Sequence, residues 1–94
     1  LVYKVMNKMF ALLPEEVKAG ETAHVVFKAE PHIGRMLRDT YPAVTEAWHF
    51  NKVHWNSVAM DGSVPDEEVR EWIAHSYALV VRGLTRAQRD ALAA

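Results

Sequence analysis

Two histidines, two tryptophans, two asparagines and a lysine fall within Trp48-His49-Phe50-Asn51-Lys52-Val53-His54-Trp55-Asn56. Imidazoles can ligate a metal or carry a proton, lysine and asparagine can hold a phosphate or a base edge, and indole rings can stack on an unpaired base. The stretch reads as one β-hairpin closed at Asn51-Lys52. With Phe50 and Val53 flanking that turn, His49 lies opposite His54 and Trp48 opposite Trp55. Side chains alternate faces along a strand, so the histidines share one face and the tryptophans the other.

Each chemistry can be weighed on these residue types. A stable zinc site wants three or four protein ligands. Here Glu46 alternates onto the tryptophan face and His75 is remote, so no metal is expected, nor any cofactor. Ser57, Ser63 and Ser76 lack a glycine-flanked nucleophile context, and there is no glycine-rich phosphate loop. In His75-Ser76-Tyr77, adjacent residues on a helix point about 100° apart and form no cluster. No enzyme is expected. Trp72 suits a buried helical stripe, and Trp48 with Trp55 suits a cross-strand pair under a helix, so all three indoles are expected in the core.

The elements that position these groups follow from periodicity. Leu1 to Val5 and Lys8 to Leu13 are strand-like runs turned at Met6-Asn7 or Asn7-Lys8, and either register puts Leu1, Tyr3, Val5, Phe10 and Leu12 on one face, the core side. Residues 14–22, with Pro14, Glu15, Glu16, Gly20 and Glu21, read as an exposed loop. A third strand over 23–29 has Val25 and Phe27 on one side, His24, Val26 and Lys28 on the other. Pro31 opens a helix with Ile33, Met36, Leu37 and Tyr41 at helical spacing, ending before Pro42. Gly34 weakens it by roughly 1 kcal/mol against alanine. The central hairpin spans about 45–50 and 53–60. Ser63 as N-cap, with Pro65 and three acids behind it, starts a long helix whose buried stripe is Val69, Trp72, Ile73, Tyr77, Val80 and Leu84 and which stops at Gly83. Thr85 can cap a last short helix over 86–93. The fold class is therefore α+β, an antiparallel sheet backed by helices in the order β-β-β-α-β-β-α.

Ninety-four residues make a single domain, 1–94, with room for one modest core. There is no cysteine, which excludes disulfides, thiol catalysis and thiolate metal sites. No apolar run approaches a membrane span and no signal-peptide pattern is present, so a cytoplasmic protein that does not engage membranes is expected. Eleven basic residues stand against 12 acidic ones, a net charge of −1. Affinity for DNA is mostly phosphate neutralisation, so this balance opposes tight binding unless folding gathers the cations on one face. The chain opens on Leu1, without an initiator methionine, directly into a strand, which suggests a fragment or a first element outside this sequence.

At Tyr41-Pro42-Ala43, the Trp48 to Val58 stretch with its Asn-Lys-x-His-Trp-Asn core, Asp61-Gly62-Ser63-Val64-Pro65 and His75-Ser76-Tyr77-Ala78-Leu79-Val80, the sequence closely resembles the MmcQ/YjbR family. Val2 to Val5, Lys8 to Leu12 and Lys28-Ala29-Glu30-Pro31 resemble it too, so the likeness covers nearly the whole chain. It implies an α-β(3)-α-β(2)-α domain of secretion-chaperone-like fold. The family's N-terminal helix is not in this sequence, so part of the sheet's apolar face is expected to be bare, swapped or partnered. Met6-Asn7 stands where such proteins carry a Gly-Gly-like turn. Glu30 replaces an aspartate before Pro31, a poorer N-cap.

Members of the family are described as DNA-binding through two hairpin wings. That description implies double-stranded DNA as partner, with Asn7 and Lys8 on one wing and Asn51, Lys52, His54 and Asn56 on the other. The candidate contacts are Lys8, Asn51, Lys52, His54 and Asn56. Asn-Lys is equally good turn chemistry, since asparagine tolerates positive φ and lysine keeps an edge soluble. The competing function is a protein-interaction module, a homodimer or a grip on another protein, that binds no nucleic acid. Cations gathered on one face favour DNA; an apolar exposed groove favours a protein partner.

Overall fold

In the computed structural model, which describes residues 1–14 and 17–94, five strands and three helices follow in the order β1 (Val2–Val5), β2 (Lys8–Leu12), β3 (His24–Lys28), α1 (Pro31–Thr40), β4 (Val44–Glu46), β5 (Trp55–Ala59), α2 (Asp66–Arg82) and α3 (Arg86–Ala93). The α+β class and the element order match the sequence reading, with α3 as the last short helix. The sheet is antiparallel throughout, with strand order β1-β2-β3-β5-β4. Of the expected loop over 14–22, Glu15 and Glu16 lie outside the described residues. Among the described residues no helix is long and apolar enough to cross a membrane.

Alternation along β3 positions the core. Val25 and Phe27 are buried and join Ala29, Leu37, Val44, Val58, Val64 and Val69 under the helices, while His24, Val26 and Lys28 face away. Trp72 of α2 stacks on Phe27 at 5.5 Å between ring centroids and meets Tyr41 edge-on at 5.2 Å, as a stripe residue should. On the other face, Leu12, Val26, His24, Ser57 and Thr45 line an open cleft of about 510 Å³.

The first hairpin turns at Met6-Asn7, pairing Val5 with Lys8, and both turn residues take positive φ, 47° and 64°. A two-residue turn of that twist suits a hairpin even without glycine, and asparagine bears the conformation best. The face assignment there needs correction. Tyr3 pairs with Ala11 and Lys4 with Met9, so Phe10 is an extra residue in β2. This bulge buries Ala11 opposite Phe27, sends the Phe10 ring against Tyr77 of α2 at 5.1 Å, and leaves Leu1 and Tyr3 exposed and Leu12 on the open face.

Helix ends differ from expectation too. Ser63 does not cap α2. Its N–H and hydroxyl both donate to the Asp61 carboxylate, at 2.9 and 2.6 Å, holding that carboxyl below its ordinary range, and the helix begins after Pro65. Glu30 gives α1 no side-chain cap. Thr85 does cap α3, in a reciprocal pair with Gln88. On α1 the buried positions are Gly34 and Leu37, and Met36 is exposed.

Where β2 and β3 stop pairing, α2 inserts a hydroxyl. The Lys28 N–H donates to Ser76 Oγ at 2.8 Å, and that hydroxyl donates to the Phe10 carbonyl at 2.6 Å. Ser76 is fully buried, and one side chain thus satisfies a donor on one strand and an acceptor on its neighbour. Ser76→Ala would leave both backbone groups without partners. It is expected to lower stability by about 2 kcal/mol, read as a lower urea midpoint at unchanged m-value.

Candidate nucleic-acid interface

Register and helix direction assign the charges to two ends of the molecule. Lys28 pairs with Trp55 and Phe27 with Ala11, so the end of β3, the start of β2 and the start of β5 lie at one end of the sheet. Both the Met6-Asn7 turn and the 47–54 loop therefore project from that end, on either side of β3. With strands spaced about 4.8 Å apart, the roots of the two tips are about 14 Å from each other. The C-terminal part of α2 arrives at the same end, because Ser76 touches Lys28 and Arg82 reaches Glu30 at 3.4 Å. Lys8, Lys28, Lys52 and Arg82 gather there against Glu30 and Glu46. The opposite end receives Asp61, Asp66, Glu67 and Glu68, from the exit of β5 and the first turn of α2. A chain of net charge −1 is thus sorted into a basic end and an acidic end.

The second tip is not the hairpin that the spacing suggested. The strands pair Val44 with Val58, Thr45 with Ser57 and Glu46 with Asn56, and the Ala47 N–H donates to the Trp55 carbonyl at 3.2 Å. That register is one residue away from one setting His49 opposite His54, and a one-residue slip reverses every facing relation. The predicted Trp48–Trp55 and His49–His54 pairs do not form. Residues 47–54 make a loop in which the Asn51 side chain accepts the Val53 N–H at 3.0 Å, the Asn51 carbonyl accepts from His54 and Trp55, and the Phe50 ring packs on Trp55 at 5.7 Å. Trp48 is not core: it is 79% exposed, with the Lys52 ammonium 4.4 Å from its ring centroid.

Of the five candidate contacts, Lys8 is exposed beside the first turn, and Asn51 and Lys52 are exposed on the loop. His54 is half-buried, and its carbonyl accepts the Ala29 N–H at 2.9 Å. Asn56 must be withdrawn as a contact. It is 1% exposed, its Oδ1 accepts from Arg38 Nη1 at 2.7 Å, and its Nδ2 donates to the Gly34 carbonyl at 3.1 Å. A side chain so enclosed cannot reach a ligand; its Oδ1 instead orients the Arg38 guanidinium. Sequence reasoning missed Arg35 and Arg38, which stand three apart on α1 and so share a face. That spacing was readable, but the direction of the face was not. His75 lies 3.9 Å from Glu30, which also approaches His32 and Arg82. Among the described residues no three His, Asp or Glu side chains group as a metal site would require.

The close approach of Gly34 to Asn56 fixes what position 34 can hold. A Cβ there would sit 3.0 Å from Asn56 Nδ2. Alanine normally favours a helix by roughly 1 kcal/mol over glycine. Asn56 is anchored at both ends and cannot yield, so Gly34→Ala is expected to destabilise the protein by about 1 kcal/mol or more, read as a lower urea midpoint.

Comparison with known proteins agrees with this architecture. A sequence model of the YjbR family matches residues 1–79. The protein YjbR of Escherichia coli K12 is 32% identical over 89 residues, covering 95% of this chain and 73% of that protein. The protein YbdF of Escherichia coli O157:H7 is likewise 32% identical, over 95% of this chain and 69% of its own length. A solved Deinococcus radiodurans protein described as a DUF419 domain superposes with a TM-score of 0.80 at 34% identity, over 92% of this chain. This chain spans 62% of that solved chain. A Pseudomonas syringae structure superposes with a TM-score of 0.70 at 25% identity, over 83% of this chain and 74% of its own.

Proposed function

The chain belongs to the YjbR family, and we propose that it is a non-enzymatic domain that binds double-stranded DNA in the cytoplasm, gripping the phosphate backbone with its two projecting tips. The observation that carries this reading is the gathering of Lys8, Lys28, Lys52 and Arg82 at the end of the sheet from which both tips emerge. Net charge alone argues against nucleic acid, but affinity follows local phosphate neutralisation rather than the charge of the whole chain. The spacing of the two roots, about 14 Å, is close to the roughly 12 Å width of a major groove, so the pair can address the two backbones that border it. Lys8 and Lys52 supply charge, and Asn7 and Asn51 supply side-chain amides beside them. In the 47–54 loop, Asn51 spends its carbonyl oxygen on the turn and keeps its amide nitrogen for a ligand.

A second reading, attachment to a protein partner or to a second copy, is favoured by the open sheet face, where Leu12 and Val26 flank the cleft and Leu1, Leu13 and Val17 continue it. The two readings differ in salt dependence. Fluorescence-anisotropy titration of a short random duplex from low to physiological salt should give binding that weakens as salt rises. The Lys8→Ala/Lys52→Ala protein should flatten that slope by about two units. Absence of binding at low salt would sink the DNA reading and leave the open face as the functional surface.

A further inference from the structure

The geometry points to a phosphate-binding site at the root of the second tip: a cavity of about 200 Å³ between α1 and the 47–54 loop, lined by Arg35, Arg38, Lys52 and Glu46. The site takes a single phosphate group; its supply by a nucleic-acid backbone rests on the reading proposed above. Two arginines of α1 and, from the loop, Lys52 line this cavity. None of them has an acidic partner within ion-pair distance among the described residues, although Glu46 is close by. Cations brought together without neutralisation repel one another, and an anion between them relieves that repulsion.

The site is built rather than incidental because Arg38 is fixed from behind. Asn56 is buried and tied to the α1 backbone through Gly34, and its Oδ1 receives one guanidinium N–H of Arg38 at 2.7 Å. A guanidinium has five donors in a rigid fork, so one anchored N–H leaves the others aimed and available for phosphate oxygens. Gly34 belongs to the same device, since a Cβ there would press on the amide that orients the arginine. Lys52 closes the site from the loop. Its ammonium rests on the exposed face of Trp48, a hold weak enough at such a site to release toward an anion. Glu46 pairs with Asn56 across the strands and stands on the same side of the sheet, where its carboxylate opposes an incoming anion and tempers affinity. Asn56 and Gly34 are positioning residues; Arg35, Arg38 and Lys52 make the contacts.

The test uses the complete protein in two titrations. In the first, sodium phosphate is added at constant ionic strength while NMR follows the Arg38 side-chain N–H and the backbone amides around Gly34 and Lys52. Saturable shifts confined to this region are expected, with sodium chloride producing none. In the second, duplex affinity is measured by anisotropy for four proteins. Arg35→Ala/Arg38→Ala should weaken binding roughly tenfold and flatten the salt slope by about two units. Arg38→Lys keeps the charge but loses the fork, so affinity should fall about threefold with the salt slope unchanged. Glu46→Gln should tighten binding about threefold, a gain that damage to the fold cannot imitate. Duplex binding that none of these substitutions alters would overturn the site and leave the nucleic-acid reading standing. Phosphate shifts at Arg38 without any duplex binding would support the site and end that reading. Silence in both titrations would overturn both.

Discussion

Where the β2–β3 ladder ends, the Ser76 hydroxyl holds α2 to both strands, accepting the Lys28 N–H and donating to the Phe10 carbonyl. Strands β2 and β3 pair at only Ala11–Phe27 and Leu12–Val26, and directly beyond that the Lys28 N–H and the Phe10 carbonyl would face each other across a widening gap. A serine from α2 fills the gap and completes the ladder in place of water. The helix is thereby pinned to the sheet at the point where the strands part, which sets how far the first hairpin swings from the centre. Phe10, expelled from the regular ladder by its bulge, lands on Tyr77 one residue further along the same helix. Bulge, serine and ring contact are three parts of one junction.

A second constraint is the two-ended hydrogen bonding of Asn56. Burying an amide is unfavourable unless its oxygen and nitrogen both find partners. Here the partners are a helix carbonyl and an arginine, so the same bonds that make the burial tolerable also dock α1 on β5 and orient a cation. One side chain thus both docks a helix and places a guanidinium. The arrangement also accounts for a glycine in the middle of a short helix, where propensity alone would favour alanine.

Local patterns made much of this legible in the sequence. The alternation of Val25 and Phe27 against His24, Val26 and Lys28, the proline opening α1, the Thr85 cap and the partly buried Trp72 packed on the core all depend on residues within one or two turns of each other. What escaped depended on geometry that spacing does not encode. A single added residue at Phe10 reversed the faces assigned to half of a hairpin. A one-residue shift in the β4–β5 register dissolved the paired histidines and tryptophans, and the 47–54 loop took an Asn-stabilised turn where a tight hairpin was expected. Asn56 looked like a contact because it sits in a polar motif near a tip. It points inward because even-numbered residues of β5 face the helices, a fact fixed only by the pairing with β3.

The strand order leaves β1 and β4 as the two borders of the sheet. They are unequal hazards for aggregation. β4 offers only three residues, too short to template a neighbouring chain, and α1 packs against it. β1 offers four, with Val2 and Tyr3 exposed on an otherwise apolar stretch, and its one charged residue is Lys4. A lysine on an open border discourages strand addition by another molecule, so Lys4 acts as the gatekeeper of the more vulnerable side. Resistance to strand addition along β1 thus falls to a residue outside the core.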